Sequence, residues 1–200
     1  MPLILNKDLG EKSKLGIWKI NESLDDFLYI KPTLVKQYDK YKSDRRKKEV
    51  AAVQLLIDKL LDRHTILRHY PNGKPYLDEN INIGISHTDG LAAVILSENK
   101  DVSVDVEYIS DRVSRIKKKF MRDDENAFNS IELLLHWCVK ETIYKLRSEY
   151  NLNFMDFRIL QIVKLSESQG LVKTEIISQN LFLDINYMIF DSYIITYSIL

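Results

Sequence analysis

The chain has almost no sulfur with which to cross-link itself and no excess charge of either sign. Cys138 is the single cysteine among 200 residues, which excludes an internal disulfide and any zinc site built from several cysteines. Lysine plus arginine match aspartate plus glutamate at 29 each. That balance lacks the basic excess of a bulk polyanion binder, so nucleic acid is not expected as a partner. The apolar runs Leu91–Leu96 and from Tyr187 onward fall far short of the roughly 20 residues that span a bilayer. Met1-Pro2-Leu3-Ile4-Leu5 meets Asn6, Lys7 and Asp8 too soon to form a signal-peptide core. Walker A, dinucleotide-fingerprint and metalloprotease motifs are missing. So is any Gly/Pro/Ser-rich linker. These absences predict a soluble, cytoplasmic protein of one domain or two intimately packed halves.

What is present is an ordinary globular composition, 45% apolar, with clear periodicities. Leu15–Ile20 reads as a strand, and Asn21-Glu22-Ser23 offers caps for a helix after it. From Ser43 and Asp44, residues Val50, Val53, Gln54, Ile57, Leu60 and Leu61 recur at helical spacing, with Lys47, Lys48 and Asp58 toward water. Pro71-Asn72-Gly73 marks a turn. Ile81–Ile85, Leu91–Leu96 and Val102–Val106 read as strands, the last two joined by Ser97-Glu98-Asn99-Lys100. The segment from Asp111 to about Arg147 reads as helical in three pieces. Ile159–Leu165, Leu171–Ile177, Ile185–Phe190 and Tyr193–Ile199 then read as an antiparallel run. The expected class is α+β, with one half over residues 1–96 and a second over 97–200, each a long helix on an antiparallel sheet.

Several side chains suit phosphate and cation chemistry. A strand's period of two places Asp105 and Glu107 on one face and Val104 and Val106 on the other. Two carboxylates so close repel, and a cation between them would remove the cost of ionising both; an exposed acidic pair at a strand edge fits the same spacing. Glu141 and Lys145 lie i,i+4 in the favourable order, which also describes a solvated helix ion pair. Trp137, four residues before Glu141, turns that stripe inward, and a half-buried carboxylate needs a partner. Ser86-His87-Thr88 follows a strand and can offer donors to phosphate, or simply form a turn. Ser86 lacks the elbow and separate base of a hydrolase nucleophile. Gly73-Lys74-Pro75 reads as a turn bearing a lysine. Cys138 reads as a small buried apolar residue. The basic runs Arg45–Lys48 and Lys117–Lys119 lie on helix faces and are by default solvated.

Taken in order, Gly73-Lys74-Pro75, Ile85-Ser86-His87-Thr88, Ser103-Val104-Asp105-Val106-Glu107 and the helix from Trp137 to Lys145 resemble the 4′-phosphopantetheinyl transferases of the larger, single-chain (Sfp-like) type. Their hallmarks are G-K-P, I-S-H-[ST], G-[IV]-D-[IV]-E and W-x-x-K-E-[SA]-x-x-K segments. Phe120 with Asp124-Glu125 looks like the family's F-x-x-x-E segment. The resemblance spans roughly residues 15 to 165. It implies two similar α+β halves packed as a pseudo-dimer, a monomer sufficient for one active site, and a cleft with His87 and Lys74 on one side and the carboxylates on the other.

It also implies transfer of phosphopantetheine from coenzyme A to a serine of an apo acyl- or peptidyl-carrier protein, with release of 3′,5′-ADP. Asp105, Glu107 and Glu141 would ligate Mg²⁺ with the diphosphate, as a hard cation prefers. Glu141 would be the base for the serine hydroxyl, and Lys145 would neutralise the diphosphate and protonate the leaving group. Lys74, Ser86 and His87 would hold the nucleotide end, and Lys48 aligns with a nucleotide-contacting arginine. The chain departs from the family pattern at Ser103, where glycine is usual, at Val53, where many relatives carry arginine, and after Lys145, where a glycine is missing. A binding module of the same fold, gripping coenzyme A or a carrier domain without turnover, is the alternative.

Overall fold

Residues 2–34, 40–78 and 80–200 are described in a computed structural model of the chain, which divides into two units, Met1–Lys100 and Asp101–Leu200. In the first, strands β1 (Leu3–Gly10) and β2 (Ser13–Lys19) precede helix α1 (Leu24–Ile30) and helix α2 (Asp44–Leu61). The short strands β3 (Leu67–His69) and β4 (Pro75–Leu77) follow, then β5 (Asn82–Thr88) and β6 (Leu91–Ser97). The main sheet is antiparallel with order β1-β2-β6-β5, and β3 and β4 form a separate pair.

Local chemistry accounts for these elements. Ser23 caps α1 in a reciprocal box with Asp26, which satisfies two backbone N–H groups that the first helical turn would leave open. Leu56, Ile57 and Leu60 of α2 are buried with Trp18, Ala92 and Val94 of the sheet. Each large apolar side chain so buried stabilises the fold by roughly 1.5–3 kcal/mol before entropy is subtracted. Strand β6 is buried at every position, as its uninterrupted apolar run suggests. Gly73, at φ +85°, makes the turn between β3 and β4, a backbone region that side chains with a Cβ rarely enter.

The second unit holds β7 (Val102–Tyr108), a 3-10 helical segment (Asp111–Lys119), helix α3 (Ser130–Leu146) and strands β8 (Phe157–Lys164), β9 (Gln169–Ile176), β10 (Leu181–Phe190) and β11 (Tyr193–Ile199). Its sheet is antiparallel with order β7-β11-β10-β9-β8. Leu134, Cys138, Val139 and Ile143 of α3 share a core with Val172, Ile185 and Ile194. At Gly170 a Cβ would stand 2.3 Å from the Val163 carbonyl oxygen, so the β8–β9 hairpin closes only over a hydrogen atom at that position.

The architecture is α+β, as the periodicities indicate. Two details differ from the sequence reading. Strand β1 was not legible, because Asn6, Lys7 and Asp8 interrupt its apolar residues; pairing with β2 forms it. Residues 111–147 contain two helical pieces rather than three, with residues 120–129 irregular. Strands β6 and β7, adjacent in sequence, belong to different sheets. No helix among the described residues is long and apolar enough to cross a membrane.

Candidate functional site

The second unit gathers its ionisable groups where α3 crosses the edge strand β7. Asp105 is buried and Glu107 partly so. They share a face of β7, and α3 supplies Trp137, Glu141 and Lys145 to it. Lys145 Nζ donates to Asp105 Oδ1 at 2.7 Å and to the Val104 carbonyl at 3.3 Å. The Trp137 indole donates to Glu107 Oε1 at 3.2 Å. Arg112, from the 3-10 segment, grips Glu107 with one terminal nitrogen at 3.1 and 3.0 Å from the two carboxylate oxygens.

Glu141 has no such hydrogen-bonding company among the described residues. Burial pushes its carboxyl up to about 7, the charge on Asp105 adds to the rise, Lys145 opposes it, and Glu107 contributes further. Glu107 is itself raised, first by burial and then by Asp105, against the pull of Arg112, Trp137 and Lys145. Burial lifts the Cys138 thiol well above its ordinary range, and the charges of Asp105 and Glu107 lift it further. Asp105 thus raises both Glu107 and Glu141, and Lys145 opposes both rises.

The donor set tests whether a hard divalent cation suits the site. Asp105, Glu107 and Glu141 present oxygen donors alone, and the charge of Asp105 raises the cost of ionising the other two; a cation would relieve that cost. The donor chemistry fits. As the side chains stand, Lys145 and Arg112 supply the positive charge, and among the described residues no three His, Cys, Asp or Glu side chains form a ligating group.

A second feature braces this helix. Lys140 and Glu125, both fully buried at the side chain, pair at 2.7 Å. Lys140 also donates to the Phe120 carbonyl at 2.6 Å. Glu125 accepts from the Arg122 and Ile159 backbone N–H groups at 3.0 and 2.7 Å. Burial lowers Lys140 while Glu125 opposes that shift. The irregular residues 120–125 are thereby tied to the turn of α3 that carries Glu141.

In the first unit Ser86 is buried and His87 half-buried on β5, which pairs with β6 at the sheet edge among the described residues. The basic residue that meets His87 is Arg46, not Lys48. The Arg46 guanidinium lies against His87 Nε2; a guanidinium only donates, so that nitrogen accepts. His87 Nδ1 then faces Glu49 Oε2 at 3.1 Å. Arg45 and Arg46 also bind Glu49, at 3.0 and 3.1 Å, and Arg46 stacks over Tyr41 at 5.5 Å. Lys48 lies within electrostatic reach of Asp26 instead; Ser23 hydrogen bonds are the main cause of that carboxyl's lowered pKa, and Lys48 adds a small part. Lys74 is exposed beside the Gly73 turn, where its backbone N–H donates to Asn72 Oδ1 at 3.1 Å. His69 is lowered by burial and by the nearby charges of Arg46 and Lys40, which marks this part of the unit as electropositive.

Arg46, Glu49 and Arg112 escaped the sequence reading. Arg46 and Glu49 differ by three, a helical neighbour spacing that could have paired them, whereas the partners of His87 and Arg112 depend on chain reversals that no local pattern encodes.

Comparison with protein families finds a match over the second unit. Residues 101–198 match the family model described as the 4′-phosphopantetheinyl transferase superfamily, a span that takes in β7, α3 and all but the final residue of the second unit's sheet. Through that unit the chain belongs to the 4′-phosphopantetheinyl transferase superfamily. No curated protein matches it.

Proposed function

We propose that the protein is a single-chain, Sfp-like transferase that moves 4′-phosphopantetheine from coenzyme A to a serine of an apo acyl- or peptidyl-carrier protein, with Mg²⁺ and release of 3′,5′-ADP. The observation that carries this reading is the convergence of Asp105, Glu107, Glu141 and Lys145 where α3 crosses β7, with Lys145 Nζ on Asp105 Oδ1 at 2.7 Å. The three carboxylates are a set of oxygen donors that suits a hard cation. Asp105, Glu107 and Glu141 would hold Mg²⁺, which when bound neutralises diphosphate charge and polarises the phosphoryl group.

The chain's own residues supply the remainder. Glu141 accepts the proton of the incoming serine, directly or through water. Lys145, anchored to Asp105, carries the positive charge that steadies the diphosphate and can protonate the leaving group. Lys74, Ser86 and His87 are assigned to the nucleotide end, with Arg46 beside His87 as a further phosphate partner; Lys48 remains a candidate from alignment alone. Such transfer works by positioning and charge neutralisation more than by covalent help from the protein.

Incubation of the protein with Mg²⁺, coenzyme A and several apo carrier proteins tests the proposal. Intact-mass analysis is expected to show a phosphopantetheine-sized gain on at least one carrier. Coenzyme A binding by calorimetry with no adduct on any carrier would instead favour a binding module without turnover.

A further inference from the structure

The face of β7 that bears Asp105 and Glu107 continues as a ladder of buried hydroxyls. Ser103 Oγ donates to the Thr142 carbonyl at 2.9 Å. Thr196 Oγ1 donates to the Cys138 carbonyl at 3.0 Å. The Thr142 and Thr196 hydroxyls meet at 2.6 Å; with the Thr196 proton committed to Cys138, Thr142 is the donor there. Thr142 and Thr196 are wholly buried and Ser103 nearly so. In the β7–β11 register Thr196 lies directly opposite Asp105. Ser103 is two residues from Asp105 on the same strand face, Thr142 directly follows Glu141, and Cys138 precedes Glu141 by almost one turn.

Carbonyls within a helix already accept an intrahelical bond, so these hydroxyls use second lone pairs on α3. Apolar side chains would fill the same space without buried polar groups to satisfy. They would also leave α3 free to settle at neighbouring positions along the sheet, because apolar packing has no direction. Hydrogen bonds have direction. A slide by one residue, about 1.5 Å along the helix axis, would break the ladder's bonds together.

We propose that Ser103, Thr142 and Thr196 are positioning residues that set the register of α3 on β7 and β11, so that Glu141 and Lys145 stand beside Asp105 and Glu107. The inference rests on the metal-dependent reading given above. It also gives Ser103 a task at a position where the resembled family usually carries glycine.

The test compares Thr196→Val, which deletes the hydroxyl at nearly constant shape, with Thr196→Ser, which keeps it. Ser103→Ala serves as a second deletion should the valine variant fold poorly. Mn²⁺ binding followed by electron paramagnetic resonance is expected to weaken roughly tenfold in Thr196→Val and Ser103→Ala, the lower end for loss of a group behind metal ligands, and to return to within about threefold of wild type in Thr196→Ser. Hydrogen exchange over residues 138–146 should accelerate in the deletion variants and not in Thr196→Ser, with the β9–β10 hairpin unchanged. Folded deletion variants with wild-type Mn²⁺ affinity and wild-type exchange in α3 would overturn the ladder's role. Wild-type protein that binds no Mn²⁺ would contradict the metal reading itself; the exchange pattern alone would then decide whether the ladder sets the register of α3.

Discussion

The two units are built alike and spend their buried carboxylates differently. Each lays one long helix, α2 or α3, on an antiparallel sheet and places ionisable residues where the helix meets an edge strand, β5 or β7. In the first unit the buried acid, Glu49, is held by Arg45, Arg46 and His87 at 3.0 to 3.1 Å. In the second, Glu125 is equally well satisfied by Lys140 and two backbone N–H groups, while Glu141, one residue beyond Lys140, accepts no hydrogen bond among the described residues and is pushed up to about 7. On the proposed reading, the acid left among like charges is the one that serves chemistry, and the two satisfied acids serve stability.

The largest stability effect should come from the satisfied pair. Lys140→Met leaves Glu125 charged and buried without its cation, which is expected to cost about 3–5 kcal/mol; a denaturant midpoint close to wild type would show that the pair is not what braces α3. Glu49→Gln should cost less, about 1–3 kcal/mol, because a hydrogen-bond acceptor stays in place while the charge for two arginines is lost. Glu141→Gln should act in the opposite direction. Its folded-state pKa lies above the unfolded one, so the protonated form favours folding, and that contribution is fully present below about 4.5 and lost as the pH rises through about 7. Removing the charge is therefore expected to raise the melting temperature at pH 8 by a few degrees and to change it little at pH 4. Equal shifts at both pH values, or destabilisation at pH 8, would erase the contrast between Glu141 and Glu49.

One side of this contrast, the one around Glu141, was legible in local pattern. Strand alternation put Asp105 and Glu107 on one face, and helical spacing aligned Trp137, Glu141 and Lys145, since both periods follow from backbone geometry alone. The cap at Ser23 marked where α1 begins, and the apolar period opening after Ser43 and Asp44 marked α2, although the Ser43 side chain makes no cap bond. Long-range pairing was not legible. Helix rotation and the path of β5 decide which basic residue faces the His87 imidazole, here Arg46, and four adjacent basic residues look alike in sequence. Thr196, opposite Asp105, lies over ninety positions away along the chain, so its bond to the Cys138 carbonyl emerges only with the sheet order. Strand β1 required its partner β2 for the same reason.

The family match covers the second unit, where the unsatisfied carboxylate lies, and the account stands or falls with the metal and transfer role assigned there. The most direct measurement pairs two readouts on Asp105→Ala: the intact mass of an apo carrier protein after incubation with coenzyme A and Mg²⁺, and coenzyme A affinity by calorimetry without added metal. The account predicts that wild-type protein modifies the carrier, that the variant loses at least about a hundredfold in rate as expected for loss of a cation ligand, and that metal-free coenzyme A binding changes little. Transfer by the variant at the wild-type rate would contradict it.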